Sequence, residues 1–153
     1  MPTYVVTAPQ GRLSAQQKQR IGADITRVHC TVAAAPAYFA QVIFHDVPEG
    51  NYFVGGKLLR QPDHVYVHGE IRAGRDSATK ETLVLELMRA VAEAAELETH
   101  CVQVYVADVP ARQIAEYGQL LPLPGGEAAW WEAIPAELRK HMESIGSRAA
   151  NGS

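Results

Sequence analysis

Cysteine is scarce: the chain has two, Cys30 and Cys101, in 153 residues. Two thiols make neither a disulfide framework nor a thiolate metal cluster, so both are read as reduced and structural. Long apolar runs are missing too; nothing approaches the ~18 residues of a membrane span, and no basic stretch followed by a hydrophobic one opens the chain. A soluble, cytoplasmic protein is expected. Charge of one sign never accumulates, and the net charge is only −3, so neither nucleic acid nor a membrane surface is expected as a partner. Familiar catalytic signatures are lacking as well. There is no Gly-x-Ser-x-Gly and no cysteine nucleophile pattern. Gly55-Gly56-Lys57 has neither the Ser/Thr nor the strand-to-helix setting of a phosphate loop. His64 and His68, on a strand, stand roughly 13 Å apart and cannot share a metal.

What is present suits one domain with a real core. Thr3 to Ala8 reads as a β-branched, aromatic strand that stops at Pro9-Gln10-Gly11. Ser14 with Gln17 forms a capping box for a helix whose Ile21, Ile25, Val28 and Val32 share a face, and the helix breaks in Ala33-Ala34-Ala35-Pro36. Tyr38 to Val47 reads as a strand apolar on both faces except at Gln41 and His45. Pro48 to Pro62 is rich in turn residues, with a short strand or hairpin around Asn51 to Val54. The pattern then restarts as strand His64 to Arg72, helix Ser77 to Leu97 and strand Cys101 to Val109.

That restart is a repeat. At an offset of 62, residues 2–48 align with 64–110 without a gap. Ten identities result, among them Tyr4 with Tyr66, Lys18 with Lys80, and Asp46-Val47-Pro48 with Asp108-Val109-Pro110. Ordinary residue usage gives roughly three by chance over such a span. Each half is a βαβ unit, whose right-handed crossover makes its two strands parallel. The expected fold class is therefore α/β (α+β): a tandem βαβ repeat, with a four-stranded sheet and two helices on one face. The other face needs a cover, and self-association through it is expected. Residues 2–146 form one domain, with halves 2–48 and 64–110 and a C-terminal segment 111–146. Within that segment Ala111 to Leu120 reads as a short helical turn, and Glu127 to Trp131 and Pro135 to Ile145 as short helices. Residues 147–153, small and polar, are expected to be a disordered tail.

Packing residues should persist in both halves of a duplicate, so polar residues found in only one are candidates for function. Pro2 is the first of them. An initiator Met before so small a residue is normally trimmed, which leaves Pro2 as a secondary amine able to give or take a proton near neutrality. In the alignment Pro2 faces His64, His29 faces Val91, Arg72 and Arg75 face Gln10 and Leu13, and Tyr105 faces Ile43. Arg72-Ala73-Gly74-Arg75 lies between a strand end and a helix start, which suits a carboxylate or phosphate as well as two solvated loop arginines. His29 fits a capping or packing role, Tyr105 the core, Glu116 a solvated position, and Trp130-Trp131 a lid or core anchor. If the halves pair in parallel, Pro2 and the arginines lie at opposite ends of the sheet. A neighbouring subunit, or an antiparallel pairing of the halves, would bring them together.

In order and spacing, several stretches jointly resemble the tautomerase superfamily. They are Pro2-Thr3-Tyr4, Ala23 to His29, Ala40 to Phe44, His68-Gly69-Glu70-Ile71-Arg72-Ala73-Gly74-Arg75, Val104-Tyr105, Glu116-Tyr117-Gly118 and Leu120 to Gly125. Within the superfamily the chain looks most like the cis-3-chloroacrylic acid dehalogenase group of fused two-repeat chains. The likeness covers Pro2 to about Met142. It implies a tautomerase/MIF-like fold, a homotrimer, no cofactor or metal, and six catalytic positions at Pro2, His29, Arg72, Arg75, Tyr105 and Glu116. By the resemblance, Arg72 and Arg75 hold a substrate carboxylate with help from His29. Glu116, aided by Tyr105, activates water for attack at C3 of an unsaturated acid, and Pro2 protonates C2. The segment after His29, Cys30 to Ala37, departs from the group in being rich in Ala and Pro rather than Gly and Thr, and it is placed to lie over the site.

The expected function is therefore a hydratase or hydrolytic dehalogenase of small 3-substituted acrylic acids. A keto-enol tautomerase of 2-oxo acids such as phenylpyruvate is the enzymatic alternative, and a trimeric binding module with a vestigial pocket the non-enzymatic one. Charge balance separates the first two. A carboxylate near the Pro2 amine keeps it protonated as an acid, whereas arginines alone lower its pKa and make it a base.

Overall fold

The computed structural model describes residues 2–59 and 64–150. β1 (Thr3–Pro9) runs into a turn at Gly11, and Ser14 then starts α1 (Ala15–Ala33). Both arms of the capping box are made: the Gln17 amide donates to Ser14 Oγ at 3.2 Å and the Ser14 amide to Gln17 Oε1 at 3.0 Å. α1 ends at Ala34, in the left-handed region with φ 50°. Residues Ala37–Phe39 form a 3-10 turn, so strand β2 starts only at Gln41 and ends at Val47. The strand expected from Tyr38 is shorter because that turn follows Pro36 and closes with the Ala40 amide on the Ala37 carbonyl.

A small hairpin, β3 (Phe53–Val54) and β4 (Lys57–Leu58), follows. The second half opens with β5 (Val65–Arg72) and α2 (Ser77–Ala95), which Asp76 caps by accepting the Thr79 amide at 2.7 Å. It continues through a 3-10 turn at Thr99–Cys101 into β6 (Val102–Val109). Pro62, where the expected turn-rich segment ends, lies outside the described residues.

The sheet order is β2-β1-β5-β6. Each βαβ pair is parallel, while β1 and β5 meet antiparallel, with Thr3 opposite Glu70 and Thr7 opposite Tyr66. The halves are thus joined by the antiparallel pairing, and the start of β1 and the end of β5 share one edge of the sheet. Both long helices lie on one face. There Tyr4, Val6 and Ala8 of β1 and Val65, Val67 and Ile71 of β5 pack under Ile21, Ile25, Leu83 and Leu87. On the opposite face none of the described residues covers Ile43 or Tyr105, which are 39% and 60% exposed. The burial on both sides expected of β2 is therefore met on its helix-facing side alone within one chain.

The duplication is visible in detail. Lys18 pairs with Asp46 and Lys80 with Asp108, at 2.7 and 2.8 Å. Left-handed caps recur at Ala34 and Glu96. The repeat also runs further than the identities do. Ala111–Gln113 is a 3-10 turn, and a hairpin follows, β7 (Ala115–Glu116) and β8 (Gln119–Leu120), in register with β3 and β4. The single helical turn expected over Ala111 to Leu120 is replaced beyond Gln113 by this hairpin. Its two-residue turn takes φ 50° at Tyr117 and 77° at Gly118, as a primed hairpin turn demands, where the first half uses Gly55-Gly56.

α3 (Glu127–Ala133) and α4 (Ala136–Ala150) complete the chain. α4 runs past the expected end at Ile145, and residues 151–153 lie outside the described set.

Candidate active site

A cavity of about 570 Å³ opens at the edge of the sheet where β1 begins and β5 ends. Pro2, His29, Arg72 and Arg75 all lie on its wall. The antiparallel pairing of β1 with β5 produces this meeting, so it needs no second subunit. Pro2 is buried, and its carbonyl accepts the Gln41 amide at 3.0 Å, which anchors the chain start in the sheet. The segment expected over the site is there: Ala33, Ala34, Ala35 and Pro36 form one side of the cavity.

His29, in the last turns of α1, is 1% exposed. Its Nδ1 lies 2.7 Å from the hydroxyl of Tyr4, itself fully buried. Burial, with the Arg75 guanidinium and the amine at the start of the chain adding to it, lowers the imidazole pKa to about 3. Burial likewise raises that of the Tyr4 hydroxyl. His29 is therefore neutral at physiological pH, and in the tautomer where Tyr4 donates to Nδ1 the ring carries its proton on Nε2. That Nε2 is buried and has no hydrogen-bond partner among the described residues.

Arg75 stands beside this pair. Its Nη1 donates to the Arg72 carbonyl at 2.8 Å and its Nη2 to the Ala33 carbonyl at 3.3 Å, while its buried Nε finds no partner among the described residues. Burial, and then the charge of Arg72, lowers its pKa. Two unsatisfied donors beside Pro2 invite an anionic oxygen, since a buried donor left unpaired is costly. Arg72 is held differently. Its Nη1 donates to the Pro122 carbonyl at 2.9 Å and its Nη2 to Glu127 Oε1 at 2.6 Å.

The remaining two candidates do not line the cavity. Glu116, on β7, is half-buried; burial raises its carboxyl pKa, and the positive charge at the start of the chain opposes that rise. Tyr105 stands on the uncovered sheet face, edge-on to Tyr66 with ring centroids 5.2 Å apart. It is a surface residue of the single chain, not a core one.

Sequence reasoning missed Tyr4, Glu127, Tyr38 and Phe39, the last two forming an aromatic wall with Trp130 and Trp131. Tyr38 stacks on Trp131 with centroids 5.7 Å apart, and Phe39 lies 5.8 Å from Trp130. Of this wall only the paired tryptophans gave a signal, as a lid or core anchor. Among the described residues no group of three or more His, Cys, Asp or Glu could hold a metal, and no helix is long and apolar enough to cross a membrane.

A fused pair of βαβ units with a proline, a neutral histidine and two arginines around one cavity defines a class: the tautomerase superfamily, in its fused two-repeat form. The chain belongs to the tautomerase family described as "Putative oxalocrotonate tautomerase enzyme", whose profile matches residues 1–133, and is an enzyme of that superfamily. It is similar to the crystal structure of N1, a member of the cis-3-chloroacrylic acid dehalogenase family. That match has 33% identity and a TM-score of 0.89 over 93% of this chain and 99% of that one. The R7 fused 4-OT asymmetric trimer is 25% identical, with a TM-score of 0.70, over 84% of this chain and 98% of that one. A Streptococcus agalactiae protein named "Probable tautomerase" is 33% identical over 61 residues, 40% of this chain and all of that protein. Its length is that of a single repeat, as expected if the chain arose by duplication.

Proposed function

We propose that the protein is a cofactor-free hydratase or hydrolytic dehalogenase of 3-substituted acrylic acids, working as a cytoplasmic homotrimer. The observation that carries this reading is the convergence of Pro2, His29 and Arg75 on one cavity wall, with His29 Nε2 and Arg75 Nε both unsatisfied. The substrate carboxylate would lie against Arg75, His29 and the outer edge of Arg72. Those donors would stabilise the enediolate formed as electron density moves into the carboxylate. Glu116 would take a proton from water as it attacks C3, and the Pro2 ammonium would deliver its proton to C2. With a halogen at C3 the resulting halohydrin would expel halide and give malonate semialdehyde. Tyr105 faces away from its own cavity, so in this scheme it assists the site of a neighbouring protomer across the uncovered sheet face.

A second reading has its own support. Arg75 and Arg72 near the chain start favour a neutral amine, so Pro2 would act as the base of a 2-oxo acid tautomerase. The small relatives also carry that name. An NMR time course of the Met1-trimmed protein with cis-3-chloroacrylate, an acetylenic acid and phenylpyruvate tests both. Hydration of the first two, abolished by Pro2→Ala and reduced at least ~100-fold by Glu116→Gln, is expected of acid–base catalysis. Turnover of phenylpyruvate alone, insensitive to Glu116→Gln, would establish the tautomerase. Binding of these acids without turnover would leave a binding module.

A further inference from the structure

Part of the cavity wall is built from one short helix. α3 begins with Glu127, whose carboxylate takes the Arg72 guanidinium at 2.6 Å, and it continues with Trp130 and Trp131, which face Phe39 and Tyr38. Trp130 is fixed by its indole N–H on the Leu120 carbonyl at 2.9 Å. Tyr38 is held in turn by the Tyr117 hydroxyl, which donates to its carbonyl. Pro122, Pro124 and Leu121 complete an apolar enclosure. Two features do not fit a three-carbon acid. A cavity of about 570 Å³ falls in the range that holds ligands of drug size. Moreover, one of its two cations is already neutralised by a carboxylate of the protein itself.

We propose that Glu127 is a specificity residue, and that with the aromatic wall it selects monocarboxylic acids bearing a planar apolar group of aryl size at C3. Glu127 leaves Arg75 as the guanidinium with an unsatisfied donor, enough for one carboxylate. A second carboxylate at the far end of the ligand meets Glu127 and is repelled. An aryl tail meets four aromatic rings, where edge and face contacts add to the area it buries. The inference rests on the proposal that the cavity binds unsaturated acids, and names which ones.

The chain's two tryptophans both stand in this wall, so their fluorescence reports occupancy without turnover. The Met1-trimmed protein is titrated with cis-3-chloroacrylate, cinnamate and maleate. Cinnamate is expected to quench with a Kd about tenfold or more below that of chloroacrylate, and maleate to give no saturable change. Glu127→Gln is expected to give maleate saturable binding. Phe39→Ala, which keeps both reporters, should weaken cinnamate about tenfold or more and chloroacrylate by much less. Equal affinities for cinnamate and chloroacrylate, maleate binding alike to wild type and Glu127→Gln, equal loss of both acids in Phe39→Ala, or no quenching by any acid would overturn the proposal. Catalysis is judged separately. If the acids rank as expected but none is hydrated, the catalytic reading fails and this one stands. Chloroacrylate hydration with all acids ranked alike gives the reverse.

Discussion

His29 ties the stability of the fold to pH. In the unfolded chain its imidazole titrates near ~6.5, and in the folded protein near about 3, chiefly because it is buried. Between those values the unfolded state binds more protons, so stability is complete above the unfolded pKa and is lost as pH falls through the window. Each unit is worth about 1.4 kcal/mol, so at pH 4.5 the loss is about 2–3 kcal/mol. Urea midpoints at pH 7 and pH 4.5 measure it, and His29→Gln should remove most of the difference; an equal drop in both proteins would refute the assignment. The importance of His29 was legible because its counterpart in the other half is Val91. Tyr4 was not, because Tyr66 repeats it and a shared residue reads as scaffolding. The two tyrosines nevertheless point to opposite faces: Tyr4 is buried under the helices against His29, whereas Tyr66 stands on the uncovered side beside Tyr105. If Tyr4 sets the tautomer of His29, Tyr4→Phe leaves Nδ1 unpaired and should cost about 1–3 kcal/mol. It should also raise KM for the acid more than it lowers kcat, since the donor it would orient is the one proposed to hold the carboxylate. A fall in kcat alone would place Tyr4 elsewhere in the mechanism.

At the scale of elements, β1 and β5 do more than pair. Gly69 lies opposite Tyr4 across the antiparallel ladder, and a Cβ there would run into the Tyr4 ring. The missing side chain makes room for the tyrosine that orients His29. Gly69→Ala should therefore cost about 1–3 kcal/mol as overpacking, read as a lower thermal midpoint, and should weaken acid binding as Tyr4 shifts. A variant of unchanged stability would mean that the ring has another rotamer to take up. The elements of the repeat were legible from periodicity and caps, which act locally. The hairpin bearing Glu116 was not, because identity between the halves stops at Pro48 and Pro110 and Tyr117 is a poor residue for a left-handed turn. Tertiary structure overrides that preference: the Tyr117 hydroxyl reaches the Tyr38 carbonyl and its ring lies edge-on to Phe39, with centroids 6.1 Å apart. A local strain of about 1–3 kcal/mol thus joins the Glu116 hairpin to the aromatic wall.

For the whole molecule, the decisive fact is that the two halves meet antiparallel. Periodicity reports which face of a strand is apolar but not the direction of its neighbour. For that reason the sequence left open whether Pro2 and the arginines meet within one chain. They do, and the uncovered face is left to explain Tyr105. Its hydroxyl-bearing ring, 60% exposed, shares that face with Ile43 and Tyr66, and an apolar sheet face of this kind calls for a partner. In the proposed homotrimer of the 16.7 kDa chain a neighbouring protomer would cover it and receive Tyr105. Ile43→Glu places a charge on that face, away from the cavity lining. Light scattering should show about three chain masses for wild type and one for the variant, with helix content retained. Hydration should fall with the mass, because each cavity then lacks its neighbour's tyrosine, whereas binding of acids to Arg75 and His29 should persist. A folded monomer with full turnover would remove Tyr105 from the mechanism and leave the reaction to the residues of a single chain.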